Sequence, residues 1–391
     1  MRVNDQMLGR LAVLKEIRRR ESVSRTELTG IKGLSSATIT ELTADLLRRG
    51  LIVAARDGVK GPGRPRTQLA INAEASIVIG ASLGEGGYVT ISFMDLLGRC
   101  VFSLDVEVGE VRTLLDLAHV MTAALVQAID ASHIAANRIS RVAIALPAVV
   151  DSVAGTVRLM ATLPPGEVPF AKIIGDKLAV PVTIENNSAC MARAEHWFGN
   201  ARHLDDFTLI HVGRAMSSAE FVDGLPKATG SGLNSEIGHI KVASGSAAMP
   251  CLCGARGCLL TVASMYGLLR RAGRLSNVPF PPPDFDPEFN HLLKRDSDGD
   301  KAIVALFDEG ATHLGLALAN YINATAPRAV LISFLHKGFL ERLRPGVLAT
   351  LHDATLPGAL ASTSVEFVVT DNNWRGAGTS ALALERTYLG A

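Results

Sequence analysis

251-CLCGARGC-258 places three of the chain's five cysteines within eight residues, and His239 stands twelve positions before the first of them. Three thiols and one imidazole make a Cys3His set, the donor chemistry of a tetrahedral zinc site. The spacing leaves eleven residues between His239 and Cys251, one between Cys251 and Cys253, and four between Cys253 and Cys258. Gly254 and Gly257 supply the turns that bring Cys253 and Cys258 to one ion. All four coordination positions are filled by protein, so a structural zinc, one per chain, is expected and a water-activating one is disfavoured. Two other readings stay open from the residues alone: three reduced, unliganded cysteines, or one disulfide with a spare thiol, which a reducing cytoplasm opposes. Cys100 and Cys190 read as packed small residues.

Around this cluster lies a long, apolar chain. At 391 residues and 48% hydrophobic it exceeds one core, and two or three domains are expected. Five cysteines, three of them clustered at 251–258, do not resemble a secreted disulfide framework. The N-terminus, 1-MRVNDQMLGRLAVLKEIRRRE, lacks the apolar run of a secretory signal, and a membrane span is not expected. The expected compartment is the cytoplasm. Charge is unevenly spread: residues 1–70 hold 14 Lys/Arg against 7 Asp/Glu, leaving 25 against 31 for the remainder. A basic head on a mildly acidic body points to nucleic acid as the head's partner.

In the head, residues 1–72, Leu8, Leu11, Leu14 and Ile17 predict one amphipathic helix ending at Arg18, Arg19 and Arg20. Ser24 and Glu27 form a capping box for a short second helix, and Ser35 caps a third, with Ile39, Leu42, Leu46 and Leu47 inward and Gly50 as its stop. Strands at 51–55 and 67–72 flank 56-RDGVKGPGRPR-66, giving a winged helix-turn-helix. Arg25, Ser35, Ser36, Thr38 and Thr40 are candidates for base edges or phosphates, and Arg64 and Arg66 for a flanking minor groove. The competing reading is a small basic helical domain that binds protein.

The body begins with strands at 76–84, 88–95 and 101–108, followed by a helix at 112–129 and a strand from 140 that runs into a Pro/Gly-rich loop. Further on, 181-PVTIENNSACMARAEHWFG-199 passes from strand to helix. A second round opens at 207-FTLIHVG-213, with a helix at 302–324, a strand at 329–334 and a terminal helix at 376–390. This succession suggests two related α/β lobes, 73–195 completed by 375–391 and 196–374, with a ligand between them at strand ends. The proline-rich stretch 279-PFPPPDFDPEF-289 reads as an exposed excursion.

The head, 185-ENNSACMARAEHWFG-199, 236-EIGHI-240 and 251-CLCGARGCLLTVAS-264 together resemble the ROK family of repressors, open reading frames and sugar kinases, over nearly the whole chain. The resemblance implies an α/β fold in which the winged head precedes a two-lobed actin/hexokinase-like (ribonuclease H-like) body with a sugar between the lobes. It implies zinc on His239, Cys251, Cys253 and Cys258, and a homodimer or homotetramer. It also assigns Asn186, Asn187, Glu236 and His239 to the effector site.

Departures from the kinase pattern carry the functional reading. Asn187 stands where kinases of the family have the aspartate that deprotonates the sugar hydroxyl, and an amide is no base near neutral pH. In 82-SLGEGG-87 Ser82 replaces another aspartate and Glu85 would repel phosphates. The second phosphate loop aligns with 213-GRAMSSA-219, which has lost most of its glycines, and an adenine-site Gly-Gly aligns with Ser333 and Phe334. Leu260 replaces a glutamate that faces sugar hydroxyls. Phosphoryl transfer depends on positioning and electrostatics, so these losses together predict a non-enzyme. The expected function is a regulator of carbohydrate uptake or catabolism genes, acting as a repressor, with operator DNA and a sugar-like effector as partners. An ATP-dependent sugar kinase with a DNA-binding head, an activator and a ligand-independent dimer are the alternatives.

Overall fold

A computed structural model describes residues 5–389 apart from 32, 57–66, 85–86, 228–234, 274–284 and 371–372. Arg64, Arg66, Glu85 and the prolines at 281–283 therefore lie outside the described residues.

The head comprises α1 (Asp5–Arg20), β1 (Val23–Ser24), α2 (Arg25–Leu28), α3 (Ser36–Arg48), β2 (Ile52–Arg56) and β3 (Thr67–Ile71). Its strands form an antiparallel sheet in the order β1-β3-β2. Ser24 closes the expected capping box: its hydroxyl accepts from the Glu27 N–H, while the Ser24 N–H donates to the Glu27 carboxylate at 2.8 Å. Ser35 caps α3 by accepting from the Thr38 N–H at 3.1 Å. The buried face of α1 differs from the expected stripe. Leu8 is 38% exposed, and Met7 and Val13 are buried with Leu11, Leu14 and Ile17. The reason is that α1 packs on two partners, the head's own α3 and β3 and the body's last helix, and its buried surface is correspondingly wider than one stripe.

In the body, β4 (Ile77–Leu83), β5 (Tyr88–Met94) and β6 (Cys100–Glu107) form an antiparallel meander. From there α4 (Leu114–Ser132) crosses to β7 (Ile139–Leu146), which lies parallel to β4. The loop after β7 contains the hairpin β8 (Val149–Asp151) and β9 (Thr156–Leu159). Then α5 (Phe170–Leu178) crosses to β10 (Val182–Asn186), parallel to β7, and α6 (Asn187–Trp197) follows without a break. The sheet order is β10-β7-β4-β5-β6.

The next segment repeats that plan. Strands β11 (Phe207–Val212), β12 (Met216–Val222) and β13 (Leu225–Pro226) form a second meander. Four helices, α7 (Leu260–Ala263), α8 (Met265–Arg271), α9 (Phe285–Ser297) and α10 (Lys301–Thr325), precede β14 (Ala329–Phe334), which is parallel to β11. Helices α11 (Lys337–Ala354) and α12 (Pro357–Ser362) lead to β15 (Ser364–Val369), parallel to β14. The order β13-β12-β11-β14-β15 reproduces the first sheet strand for strand. Among the described part of 279–289 the stretch is no excursion: α9 starts there, and Phe285 and Phe289 are core residues because they close the second sheet's helical layer. The long apolar helices α4 and α10 have the length and composition of membrane spans, yet Leu117, Met121 and Leu125 of α4 and Phe307, Leu314 and Leu318 of α10 are core side chains.

The final helix, α13 (Asn373–Leu389), returns to the first sheet and packs on β4, β7 and α6. Helix α6 also touches β11 and β12, so α6 ties the two sheets together. The α6–α13 crossing is close enough that a Cβ at Gly378 would run into the Cys190 carbonyl. Cys190 is buried and packed there, as expected, whereas Cys100 is exposed at the start of β6 and its thiol donates to the Phe102 carbonyl instead. Gly378→Ala is expected to cost about 1–3 kcal/mol, the range for forcing atoms into a packed core. Urea unfolding checks this, and an unchanged midpoint would show that the two helices can separate freely.

Candidate functional site

His239 ends a short 3-10 turn, Ile237–His239, and the cysteine loop is drawn back to it by backbone bridges between Lys241 and Cys258 and between Pro250 and Arg256. Gly257 has φ +73°, and a Cβ there would collide with the Ala243 carbonyl, so the turn needs glycine. The four donor atoms of His239, Cys251, Cys253 and Cys258 all lie within 4.8 Å of one another. Cys251 Sγ is 3.6 Å from His239 Nδ1, and Cys253 Sγ is 3.7 Å from Cys258 Sγ. A tetrahedron with Zn–S of about 2.3 Å and Zn–N of about 2.0 Å has S···N and S···S edges of about 3.6 and 3.8 Å. The donors therefore fit a metal of that size, and the sulfurs are far beyond the roughly 2.05 Å of a disulfide.

Charge around the cluster fits as well. Three thiolates and a neutral imidazole on a divalent ion leave one net negative charge, and the Lys241 ammonium donates to Cys258 Sγ at 2.8 Å. On the other side of the imidazole, His239 Nε2 lies 4.0 Å from Glu236 Oε2, near the carboxylate but beyond hydrogen-bond distance. Glu236 is 44% exposed, but nearby protein desolvates its carboxyl and raises its pKa.

At the end of β10 the polar residues divide their work. The Asn186 carbonyl oxygen accepts from the Ser188 N–H at 2.7 Å, and its amide donates to the Ala148 carbonyl at 2.9 Å. Asn186 thus caps α6, and both ends of its side chain are engaged. Asn187 differs: its Oδ1 is buried and has no hydrogen-bond partner, an acceptor awaiting a donor. Beneath them Glu185 accepts from the Ser152 hydroxyl at 2.8 Å and the Asn186 N–H at 3.0 Å. It also meets Arg193, whose other side meets Glu385 of α13 at 3.4 Å. Burial weighs against the charge on Arg193, but Glu385 and Glu185 outweigh it and its pKa is raised. Sequence reasoning missed this triad. Leu260 is a core residue of the helical layer beside Cys258 and Leu259.

The positions that the resemblance aligns with nucleotide loops hold other contacts. Arg214 donates to Asp286 at 2.6 and 3.2 Å, and its guanidinium lies 5.2 Å from the Phe285 ring centre. Residues 216–219 are part of β12 rather than of a loop. His211 Nδ1 and Ser333 Oγ are 2.9 Å apart and buried, Ser82 is buried on β4, and Phe334 is in the core.

On the head, Ser35, Ser36 and Thr40 are exposed and Thr38 half-buried at the N-terminal end of α3. Ser35 and Thr38 share a hydrogen bond at 2.8 Å, and Thr40 donates to the Ser36 carbonyl. Arg25 Nε donates to Thr43 Oγ1 at 2.9 Å, so this arginine ties α2 to α3. Of the arginine triplet, Arg19 and Arg20 bind Glu16, whereas Arg18 turns toward the body.

Several known proteins share this architecture. The xylose repressor of Caldicellulosiruptor bescii is 26% identical over 362 residues, covering 87% of this chain and 87% of that protein. A crystal structure of a ROK family transcriptional regulator, a homologue of the E. coli MLC protein, superimposes with a TM-score of 0.79 at 24% identity and covers 98% of each chain. The ROK family glucokinase from Streptomyces griseus, solved with glucose and AMPPNP, gives a TM-score of 0.62 at 22% identity, over 79% of this chain and 99% of its own. The mixed α/β body thus has the kinase-like fold of these proteins. The family profile, which is that of the ROK family, matches residues 77–341, and the chain belongs to that family.

Proposed function

We propose that this chain is a DNA-binding transcriptional regulator, a repressor of carbohydrate uptake or catabolism genes, modulated by a sugar-like effector bound between its lobes. The observation that carries this reading is a basic three-helix head joined to a kinase-like body whose residue 187 is asparagine. The head, 1–72, is a winged helix-turn-helix that places α3 in the major groove. Two heads, held by body-to-body association in a homodimer or homotetramer, meet a near-palindromic operator. Ser36 and Thr40 face outward for base edges or phosphates, and Arg64 and Arg66, which lie outside the described residues, are the candidates for the minor groove. The lobes are 73–195 with 375–391, and 196–374, and the protein is cytoplasmic. The similarity to a xylose repressor and to a transcriptional regulator that covers 98% of the chain supports this assignment.

The effector site is centred on Asn187 and Glu236, with His239 held behind Glu236 and Asn186 shaping the helix start. A structural zinc on His239, Cys251, Cys253 and Cys258 supplies rigidity and no catalytic step. Without a base at residue 187, and with Arg214 bound to Asp286, the body performs no phosphoryl transfer. ADP release with a sugar panel should stay at background for the wild type.

The test of the assignment is a gel-shift titration on DNA flanking the gene. Affinity is expected to depend on sequence and to fall with salt as phosphate contacts release counterions. Affinity indifferent to both would reject it. Asn187→Leu, which removes the free acceptor, is expected to weaken effector binding roughly 10-fold, the worth of about 1–3 kcal/mol for an unsatisfied buried group. Calorimetric titration measures this, and an unchanged affinity would move the effector elsewhere.

A further inference from the structure

We propose that helix α6, braced by the buried charges of Glu185, Arg193 and Glu385 and gripped at its last residue by Lys15 and Arg18 of the head, joins the effector site at Asn187 to the first helix of the head and sets how firmly the head is docked. This rests on the reading of Asn187 and its surroundings as an effector site.

The observations follow α6 from one end to the other. Its first residue is Asn187, with the unpartnered acceptor, and Glu185 precedes it on β10. Arg193, in the middle, lies 3.3 Å from Glu185 and 3.4 Å from Glu385, and its side chain is 3% exposed. Glu385 Oε2 is buried and makes no hydrogen bond, while its other oxygen is held by Arg193. Lys15 of α1 stands at the far end of α6, where burial lowers its pKa against the pull of Glu385 and Asp205. Lys15 Nζ is 5.5 Å from the Trp197 ring centre and 3.5 Å from the Gly224 carbonyl.

The last residue of α6 is gripped by the head. Arg18 donates to the Trp197 carbonyl at 2.7 Å, and its guanidinium lies 4.8 and 4.9 Å from the Trp197 and Phe198 rings. Helix α1 then reaches the DNA-facing helix. Arg10 donates to the Leu389 carbonyl at the end of α13 at 2.9 Å and pairs with Asp45 of α3 at 3.4 Å. A helix moves as a rigid rod, so a change at Asn187 is delivered to Trp197, and from there through α1 to α3. An effector couples to DNA only where it distinguishes two head arrangements, and this helix supplies the difference.

Hydrogen exchange of α1 amides in the full-length protein tests the inference without any ligand. Lys15→Met and Glu385→Gln should speed α1 exchange about 5-fold or more, the lower bound of a typical coupling. Glu185→Gln, at the cleft end, should do the same, and Lys15→Arg should restore protection. Ser152→Ala, which removes a hydrogen bond to Glu185, repeats the cleft-end test with a milder change should Glu185→Gln fold poorly. Exchange in α1 that responds to Lys15→Met but to neither cleft-end variant overturns the proposal, as does a loss of protection spread evenly over the body. A second arm adds D-xylose, D-glucose and N-acetyl-D-glucosamine to the wild type. Absence of binding there counts against the effector reading and leaves the exchange result to decide the role of α6.

Discussion

Stripping metal with a chelator, or replacing Cys258 by serine, is expected to free residues 239–258 while the strands β11, β14 and β15 stay folded. The loop also has backbone hydrogen bonds, among them Val242 N–H to the Gly257 carbonyl and Gly257 N–H to the Met249 carbonyl, and Cys251 and Cys258 are buried, but it forms no regular sheet and Cys253 is exposed. Small zinc-folded peptides draw about 10–16 kcal/mol from the ion. Here β11, β14 and β15 pair with one another rather than with the loop, so a smaller share is at stake, and a local loss of about 4 kcal/mol raises amide exchange roughly 10³-fold. Hydrogen exchange read over 239–258 and over β11 separates local from global loss. Identical exchange with and without the chelator would mean that the cysteines hold nothing. Because Glu236 lies 4.0 Å from the other nitrogen of His239, the same treatment should also weaken effector binding.

Arg193→Met is expected to lower the unfolding free energy by about 3–5 kcal/mol, the cost of breaking a buried ion pair by removing one partner. Methionine keeps much of the volume, so the loss reports charge. Glu185 and Glu385 are left buried and unpaired, both with side chains at most 12% exposed. The triple variant Arg193→Met, Glu185→Gln, Glu385→Gln should recover part of the loss, since no charge is then stranded. Urea midpoints would show this, and a loss unrelieved in the triple variant would assign the effect to packing.

The His/Cys3 donor cluster was legible in the sequence because its four donors sit within twenty residues and a Cys3His set has few other uses. The head was legible for a similar reason, since Ser24, Glu27 and Ser35 act on amides three residues away. Contacts that depend on assembly were not. Arg193 and Glu385 are 192 positions apart, and nothing local marks either as a partner. Arg18 is marked in the sequence only as part of the basic end of a helix, and folding stacks it on Trp197 and Phe198. Asn186 and Asn187 look interchangeable in sequence, and only the backbone turn into α6 makes one a cap and leaves the other with a free acceptor. Helix α11 is masked in the sequence by Pro345 within its pattern, and β12 by the small residues of GRAMSSA, which resemble a phosphate loop more than a strand. The shared plan of the two sheets rests on strand order, which survives without residue identity.

The stacking of Arg18 on Trp197 gives the molecule a built-in optical reporter. The chain has only two tryptophans, and the other is Trp374. With Trp374 replaced by phenylalanine, the remaining indole sits at the joint between head and body, and its emission colour and quenching follow that joint without an added dye. Stopped-flow mixing with operator or sugar would then time the opening of the joint directly.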